Sequence, residues 1–311
     1  PSSMNGYLYR VIVTGNCAPA DTSNAALFTV SDRPEILTQP SSLTVCEDDI
    51  AVFGIDAGVT TNATFVWEVD DGSGGGFVPV PGLPDYTGGN TDTLIVNSAY
   101  SALNGNIYRV VVSGTCAPPV VSMAVFLTVN EKPEIILQPT DTTICEGASA
   151  MFSIDAGVTS SNISLVCSRH GAGWIDATGA PYVNENTPGL GIMATTSLMN
   201  NNQYRVIVSG VCAPADTSLA ANLFINEVPE IISHPTDTTQ CEDGSVTFGV
   251  DAGVTTSAAY QWQVDQGFGY VDVSGGIYSG NNTDTLTITG ITSAMQGYRY
   301  RVVITGTCIP P

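Results

Sequence analysis

Eight cysteines are the residues of this 311-residue chain whose type and spacing could do chemistry, and seven of them fall into two periodic series. Cys46, Cys145 and Cys241 follow one another at intervals of 99 and 96 residues, and Cys17, Cys116, Cys212 and Cys308 at intervals of 99, 96 and 96. Thiols that recur once per period read as disulfide formers in an oxidising compartment outside the cytoplasm. Cys167 belongs to neither series and reads as a free thiol buried in a core. Ingredients for catalysis are scarce. His170 and His234 are the only histidines, neither has metal-ligand spacing to another His or Cys, and no Gly-x-Ser-x-Gly or phosphate-loop phrase occurs. The carboxylates Asp56, Asp155 and Asp251 recur with the period, as structural residues do, so no catalytic residue and no enzymatic activity is expected. Acids gather at Glu47, Asp48, Asp49, Glu131, Glu134 and Asp155, which leaves Ca2+ at repeat junctions as the one cofactor worth testing, without an EF-hand phrase to support it. Asn62, Asn162 and Asn281 head Asn-x-Ser/Thr sequons in expected loops.

The elements that must position these residues follow from the same repeat. Tyr-Arg-Val recurs at Tyr9, Tyr108, Tyr204 and Tyr300, Asp-Ala-Gly-Val-Thr at Asp56, Asp155 and Asp251, and Pro-Glu-Ile at Pro34, Pro133 and Pro229. A period near 100 residues is one β-sandwich per repeat, too long for a propeller blade or a solenoid turn. Alternating runs such as Val246–Val250 and Tyr260–Val264 put apolar side chains on one face and are bounded by Gly, Asn and Asp. The expected architecture is all-β. It comprises a truncated domain at 1–33, contributing its last strands, domains at 34–131 and 132–228, and a domain at 229–311 that lacks its last strand. Such a sandwich exposes backbone and core at the missing edge, so the strand must come from further chain or from a neighbouring subunit. Continuation of the chain in both directions is favoured, because residues 1–19 and 293–311 match the same part of the repeat.

Composition narrows the partners. Twenty-nine Asp and Glu against 8 Lys and Arg give a formal charge of −21, which repels phosphates and anionic lipid and argues against nucleic-acid binding. No run of about 18 apolar residues exists, so no membrane insertion is expected in this segment, and Pro1–Met4 has no signal-peptide pattern.

The order Val-Cys-Glu-Asp, a tryptophan strand at Trp67 or Trp262, Asn-Gly or Gln-Gly before the Tyr-Arg-Val phrase, and Gly-Thr-Cys resembles the bacterial immunoglobulin-like repeats of very large secreted surface proteins, of adhesin, filament or gliding-associated type. The resemblance covers nearly the whole chain. It implies that Trp67 and Trp262 are core residues, and that Tyr108, Tyr204 and Tyr300 are corner tyrosines whose hydroxyls satisfy backbone near a turn. The positions where such folds carry a core disulfide hold Ile55 and Val110, Ile154 and Val206, and Val250 and Val302. The cysteines instead precede the strand that leads into Asp-Ala-Gly-Val-Thr (Cys46, Cys145, Cys241) or follow the Tyr-Arg-Val strand (Cys17, Cys116, Cys212, Cys308). In this fold those places lie at opposite ends of a domain, roughly 25 Å apart, whereas a disulfide tolerates about 7 Å between Cα atoms.

Stacked domains therefore imply Cys46 with Cys212 and Cys145 with Cys308, leaving Cys17, Cys116 and Cys241 for further domains. Pairing within each repeat (Cys46 with Cys116, Cys145 with Cys212, Cys241 with Cys308) and links between chains stay open. The function implied is a structural segment of an extracellular rod, stalk or filament on a cell surface, whose partners are other copies or further domains of the same protein. The alternative is an adhesin array that binds glycan or protein through its loops. Near-identity of Gly88–Thr93 and Gly280–Thr285 leans towards the spacer.

Overall fold

A computed structural model describes residues 2–158, 164–170 and 173–309, with Ser2 and the strand Ser164–His170 described by backbone alone. The chain is all-β, with short 3-10 turns and no α-helix among the described residues. It divides into two compact units. The first is Pro1–Pro133 with Val158–Ile163 and Ser209–Ala215; the second is Glu134–Gly157, Ser164–Val208 and Asp216–Pro311.

In the first unit a three-stranded sheet, with Thr93–Val96 between Ala51–Gly54 and Tyr86–Thr87, faces a six-stranded one. The larger sheet runs Leu43–Cys46, Val125–Asn130, Ile107–Ser113, Thr64–Asp70, Val78–Pro79, and Val120–Val121 also pairs with Ile107–Ser113. Its outer strand Leu43–Cys46 lies parallel to Val125–Asn130, with Cys46 opposite Asn130 at the last register position. The other pairings are antiparallel. Alternate residues of Ile107–Ser113 are buried, which is what period-2 patterning produces when one face meets a core. That core holds Phe53, Trp67, Leu94, Tyr108 and Leu127. Residues before 34 form two short ladders, Tyr7–Tyr9 with Ala26–Phe28 and Ile12–Val13 with Asp21–Thr22, whose side chains are exposed throughout.

The second unit repeats this plan and then varies it. Ala150–Ser153, Gly189–Ile192 and Tyr182–Val183 make a three-stranded sheet. Thr142–Cys145, Ala221–Asn226, Asn202–Ser209, Ser164–His170 and Trp174–Asp176 make the larger one, with Asp216–Thr217 attached and Cys145 opposite Asn226. The last sandwich pairs Ser245–Gly249, Thr285–Thr289 and Tyr278–Ser279 on one side. Its other sheet has three strands, Tyr270–Asp272, Ala259–Asp265 and Arg299–Thr305, so Arg299–Thr305 is an edge.

The recurring phrases have local structural work. Asp56, Asp155 and Asp251 each accept a hydrogen bond from the amide two residues on, at 2.9 Å, closing a turn through Gly58, Gly157 or Gly253. Those glycines have φ of +55° to +56°, and a side chain at Gly157 or Gly253 would meet Ile136 or Ile232 at 2.8 Å. Trp67 and Trp262 are fully buried, and each indole N–H donates to a carbonyl, of Thr91 at 3.0 Å and of Thr283 at 2.9 Å. The corner-tyrosine expectation needs correction: the Tyr108 hydroxyl pairs with that of Tyr86 at 3.1 Å, and Tyr300 with Tyr278 at 3.4 Å, rather than with turn backbone. A second phenol comes within reach of each, and the Asn106 side chain also reaches Tyr108. Burial, reinforced by Tyr86, pushes the Tyr108 phenol far above its ordinary range.

Candidate functional site at the repeat junction

Chemistry concentrates where one repeat ends and the next begins. Parallel pairing puts Cys46 opposite Asn130, the last residue of its strand, and Cys212 Sγ sits 3.4 Å from the Asn130 carbonyl. The two sulfurs are bonded, with Cα atoms 5.6 Å apart and 166 residues between them in sequence. In the second unit Cys145 lies opposite Asn226, Cys308 Sγ is 3.5 Å from the Asn226 carbonyl, and the two cysteines are bonded across 5.8 Å and a separation of 163 residues. Each bond thus links the start of one repeat to the end of the Tyr-Arg-Val strand of the next. The last strand residue, Asn130 or Asn226, is the pivot on which both cysteines converge.

Cys17, Cys116 and Cys241, counted above among the disulfide cysteines, are free thiols here. Cys116 nevertheless keeps the pivot geometry, its S–H donating to the Ser31 carbonyl at 3.4 Å. Cys167 lies on a strand described by backbone alone, so its thiol falls outside the described residues, as do the His170 side chain and Asn162.

Threonines of the Asp-Ala-Gly-Val-Thr loops grip the linkers. The Thr61 hydroxyl accepts from the Asp32 amide at 2.8 Å and Thr60 from the Glu35 amide at 3.1 Å, while the Thr61 carbonyl accepts from Thr115 at 3.0 Å. Thr256 and Thr255 do the same for Glu227 at 2.8 Å and Glu230 at 3.2 Å, with Thr307 on the Thr256 carbonyl at 3.0 Å. The Asp32, Glu35, Glu227 and Glu230 amides therefore have fixed partners on the repeat that follows them.

Of the acids considered for Ca2+, Asp48 pairs with Lys132 at 2.8 Å and holds that ammonium above its ordinary value, while Asp155 closes its own turn. Among the described residues no group of three or more His, Cys, Asp and Glu could hold a metal ion. The Asn62 amide donates to Thr115 at 2.9 Å and Asn281 to Asn282 at 2.9 Å, so both sequon amides engage neighbours.

Two arrangements were not read from sequence. Arg109, Arg205 and Arg301 of the Tyr-Arg-Val phrase lie over Phe77, Trp174 and Tyr270 at 4.0, 4.1 and 3.9 Å from the ring centres. The signal was present, since Gly-Phe-Val, Gly-Trp-Ile and Gly-Tyr-Val recur three strands before each Tyr-Arg-Val strand. Thr91, Thr187 and Thr283 hydroxyls each reach two carbonyls of their own turns, so the middle loop keeps the turn although its sequence differs.

Known proteins agree on the fold. A titin I-band fragment, I67-I69, superposes with a TM-score of 0.62 over 89% of this chain and 95% of its own, at 16% identity. A 3Ig structure of the same titin domains carrying E-to-A mutations gives 0.60 over 90% and 95%, at 15% identity. The chain is a tandem array of immunoglobulin-like β-sandwiches, the class of fold found in those fragments. By sequence, Roundabout homolog 1 of Rattus norvegicus is 29% identical over 148 residues, 47% of this chain and 8% of that protein. The match therefore spans a small part of the relative's length. That relative is an animal protein, so the comparison lends no support to the bacterial attribution. No family model matches. Among the described residues no helix is long and apolar enough to cross a membrane.

Proposed function

We propose that this chain is a load-bearing segment of an extracellular rod, stalk or filament, built from immunoglobulin-like domains at 34–131, 132–228 and 229–311 with the last strands of another at 1–33. The observation that carries the reading is the disulfide across the junctions after residues 131 and 228. A bond from the start of one repeat to the end of the Tyr-Arg-Val strand of the next carries tension across the junction without passing through the linker, a use that a free-standing binding module does not need. Threonine clamps on the linker amides support the same reading, because they remove the freedom a flexible linker would have. The bonds also favour an oxidising location at a cell surface, and a net charge of −21 favours a solvated, self-repelling surface. With Asp56, Asp155 and Asp251 closing turns and Arg109, Arg205 and Arg301 lying over aromatic rings, the recurring residues serve the proposed structural role.

The test is electron microscopy of surface material, sheared from cells that make the chain and identified by mass spectrometry. Straight stalks or fibres with a constant axial repeat support the proposal. Detached, articulated chains whose loops carry bound glycan or protein would replace it with the adhesin reading.

A further inference from the structure

The repeats share one core plan, and the middle one carries it with parts missing. The fourth residue of the strands Thr64–Asp70, Ser164–His170 and Ala259–Asp265 is Trp67, Cys167 and Trp262 in turn. Both tryptophans are fully buried, and their rings pack near Phe53 and Phe248 at 6.3 and 6.4 Å between centres. Phe152, the equivalent of Phe53, keeps its stack on Tyr204 at 5.0 Å. Beside it lies a cavity of about 20 Å3, lined in part by Phe152, Ile154, Leu190, Tyr204, Arg205 and Val206. Trp174 does not supply the missing ring, since it lies beneath Arg205 as Phe77 lies beneath Arg109.

A polar partner is missing as well. Arg109 Nε donates to Glu68 at 2.7 Å, and Arg301 Nε to Gln263 at 2.8 Å. The matching strand position holds Ser168, a shorter residue, and among the described residues the Arg205 Nε is buried without a hydrogen-bond partner. A void beside aromatic rings and an unsatisfied guanidinium nitrogen both make a sandwich easier to open.

The two disulfides decide what such an opening can do. With both closed, the covalent route enters the middle repeat at Cys212 and leaves it at Cys145, so the strands between those residues carry the tension. We propose that the middle repeat is the compliant element of the array: its core opens before that of 34–131, and the staples limit the opening to the loop from Cys145 to Cys212. That loop holds about 67 residues, so one event lengthens the route between the staples by up to roughly 230 Å at about 3.5 Å per residue, and the closed bonds prevent more. The use of this compliance rests on the load-bearing reading; the order of opening does not.

Two amides with matched surroundings provide the test. Val110 and Val206 each follow an arginine, and their amides donate to the Ser122 and Ser218 hydroxyls at 3.0 and 2.9 Å. Their hydrogen exchange therefore reports the opening of each sandwich rather than a difference in the local bond. Measured by NMR on the oxidised full chain, exchange at Val206 should be at least about tenfold faster than at Val110, and Trp67→Cys should remove most of that difference. Equal or slower exchange at Val206 overturns the proposal, as does unaltered protection of Val110 in Trp67→Cys. Stretching the same oxidised chain separates this failure from that of the rod reading. An intact length near roughly 420 Å with equal exchange at the two valines sinks the inference alone, whereas equal lengths before and after reduction remove the staples on which both rest.

Discussion

Cys46→Ser removes one of two overlapping covalent loops, and the contour length released on pulling the chain by its ends is fixed by where the bonds lie. With both bonds intact, the shortest covalent route follows residues 1–46, crosses to Cys212, runs back to Cys145, crosses to Cys308 and ends at 311. That is about 120 residues, or roughly 420 Å at about 3.5 Å per residue, against roughly 1,090 Å for the reduced chain. In Cys46→Ser the route runs along 1–145 before crossing to Cys308, giving roughly 530 Å, a gain of about 110 Å. Pairing within repeats would give a similar length for the intact chain but a gain of about 240 Å in the variant, because the whole loop from 46 to 116 would be freed. The assay is single-molecule force extension in oxidising buffer, repeated after reduction. A gain near the larger figure, or equal lengths before and after reduction, refutes the reasoning.

Thr256→Val removes the acceptor of the Glu227 amide at 2.8 Å and should cost about 1 kcal/mol locally, read as roughly fivefold faster hydrogen exchange at Glu227 with the core amides unchanged. Trp262→Phe leaves the Thr283 carbonyl without its donor and opens space in the last core; urea unfolding should show a loss of about 1–3 kcal/mol. The buried Tyr108 phenol is held above its ordinary value near 10, so its contribution to stability is complete below about pH 10 and is lost as pH rises above it. Tyr108→Phe should flatten the alkaline limb of the stability profile followed by circular dichroism, and an unchanged limb would place the sensitivity elsewhere.

The all-β class was legible because alternation and turn residues act over a few positions, and the repeat made each phrase visible three or four times. Two pairings of the cysteines survived at the sequence level because both satisfy the period. Only the register that sets Cys46 against Asn130, with Cys212 over the same carbonyl, distinguishes them in the structure. Tyr108 was expected to reach backbone by analogy with a familiar corner, but Tyr86, on a strand of the opposite sheet, occupies that place and no local pattern announces it. The Thr60 and Thr61 grip was hidden for a different reason: the threonines look like ordinary loop residues until the linker amides they bind are located. Arg109 over Phe77 joins two phrases on either side of the strand Thr64–Asp70, a relation that appears only when the sheet is assembled.

The central claim is that the junctions after residues 131 and 228 are stapled from one repeat to the next. Mass spectrometry of a non-reduced proteolytic digest, prepared at acid pH with thiols blocked beforehand, tests it most directly. The account expects linked peptides joining Cys46 to Cys212 and Cys145 to Cys308. Peptides joining Cys46 to Cys116 and Cys145 to Cys212 would contradict it.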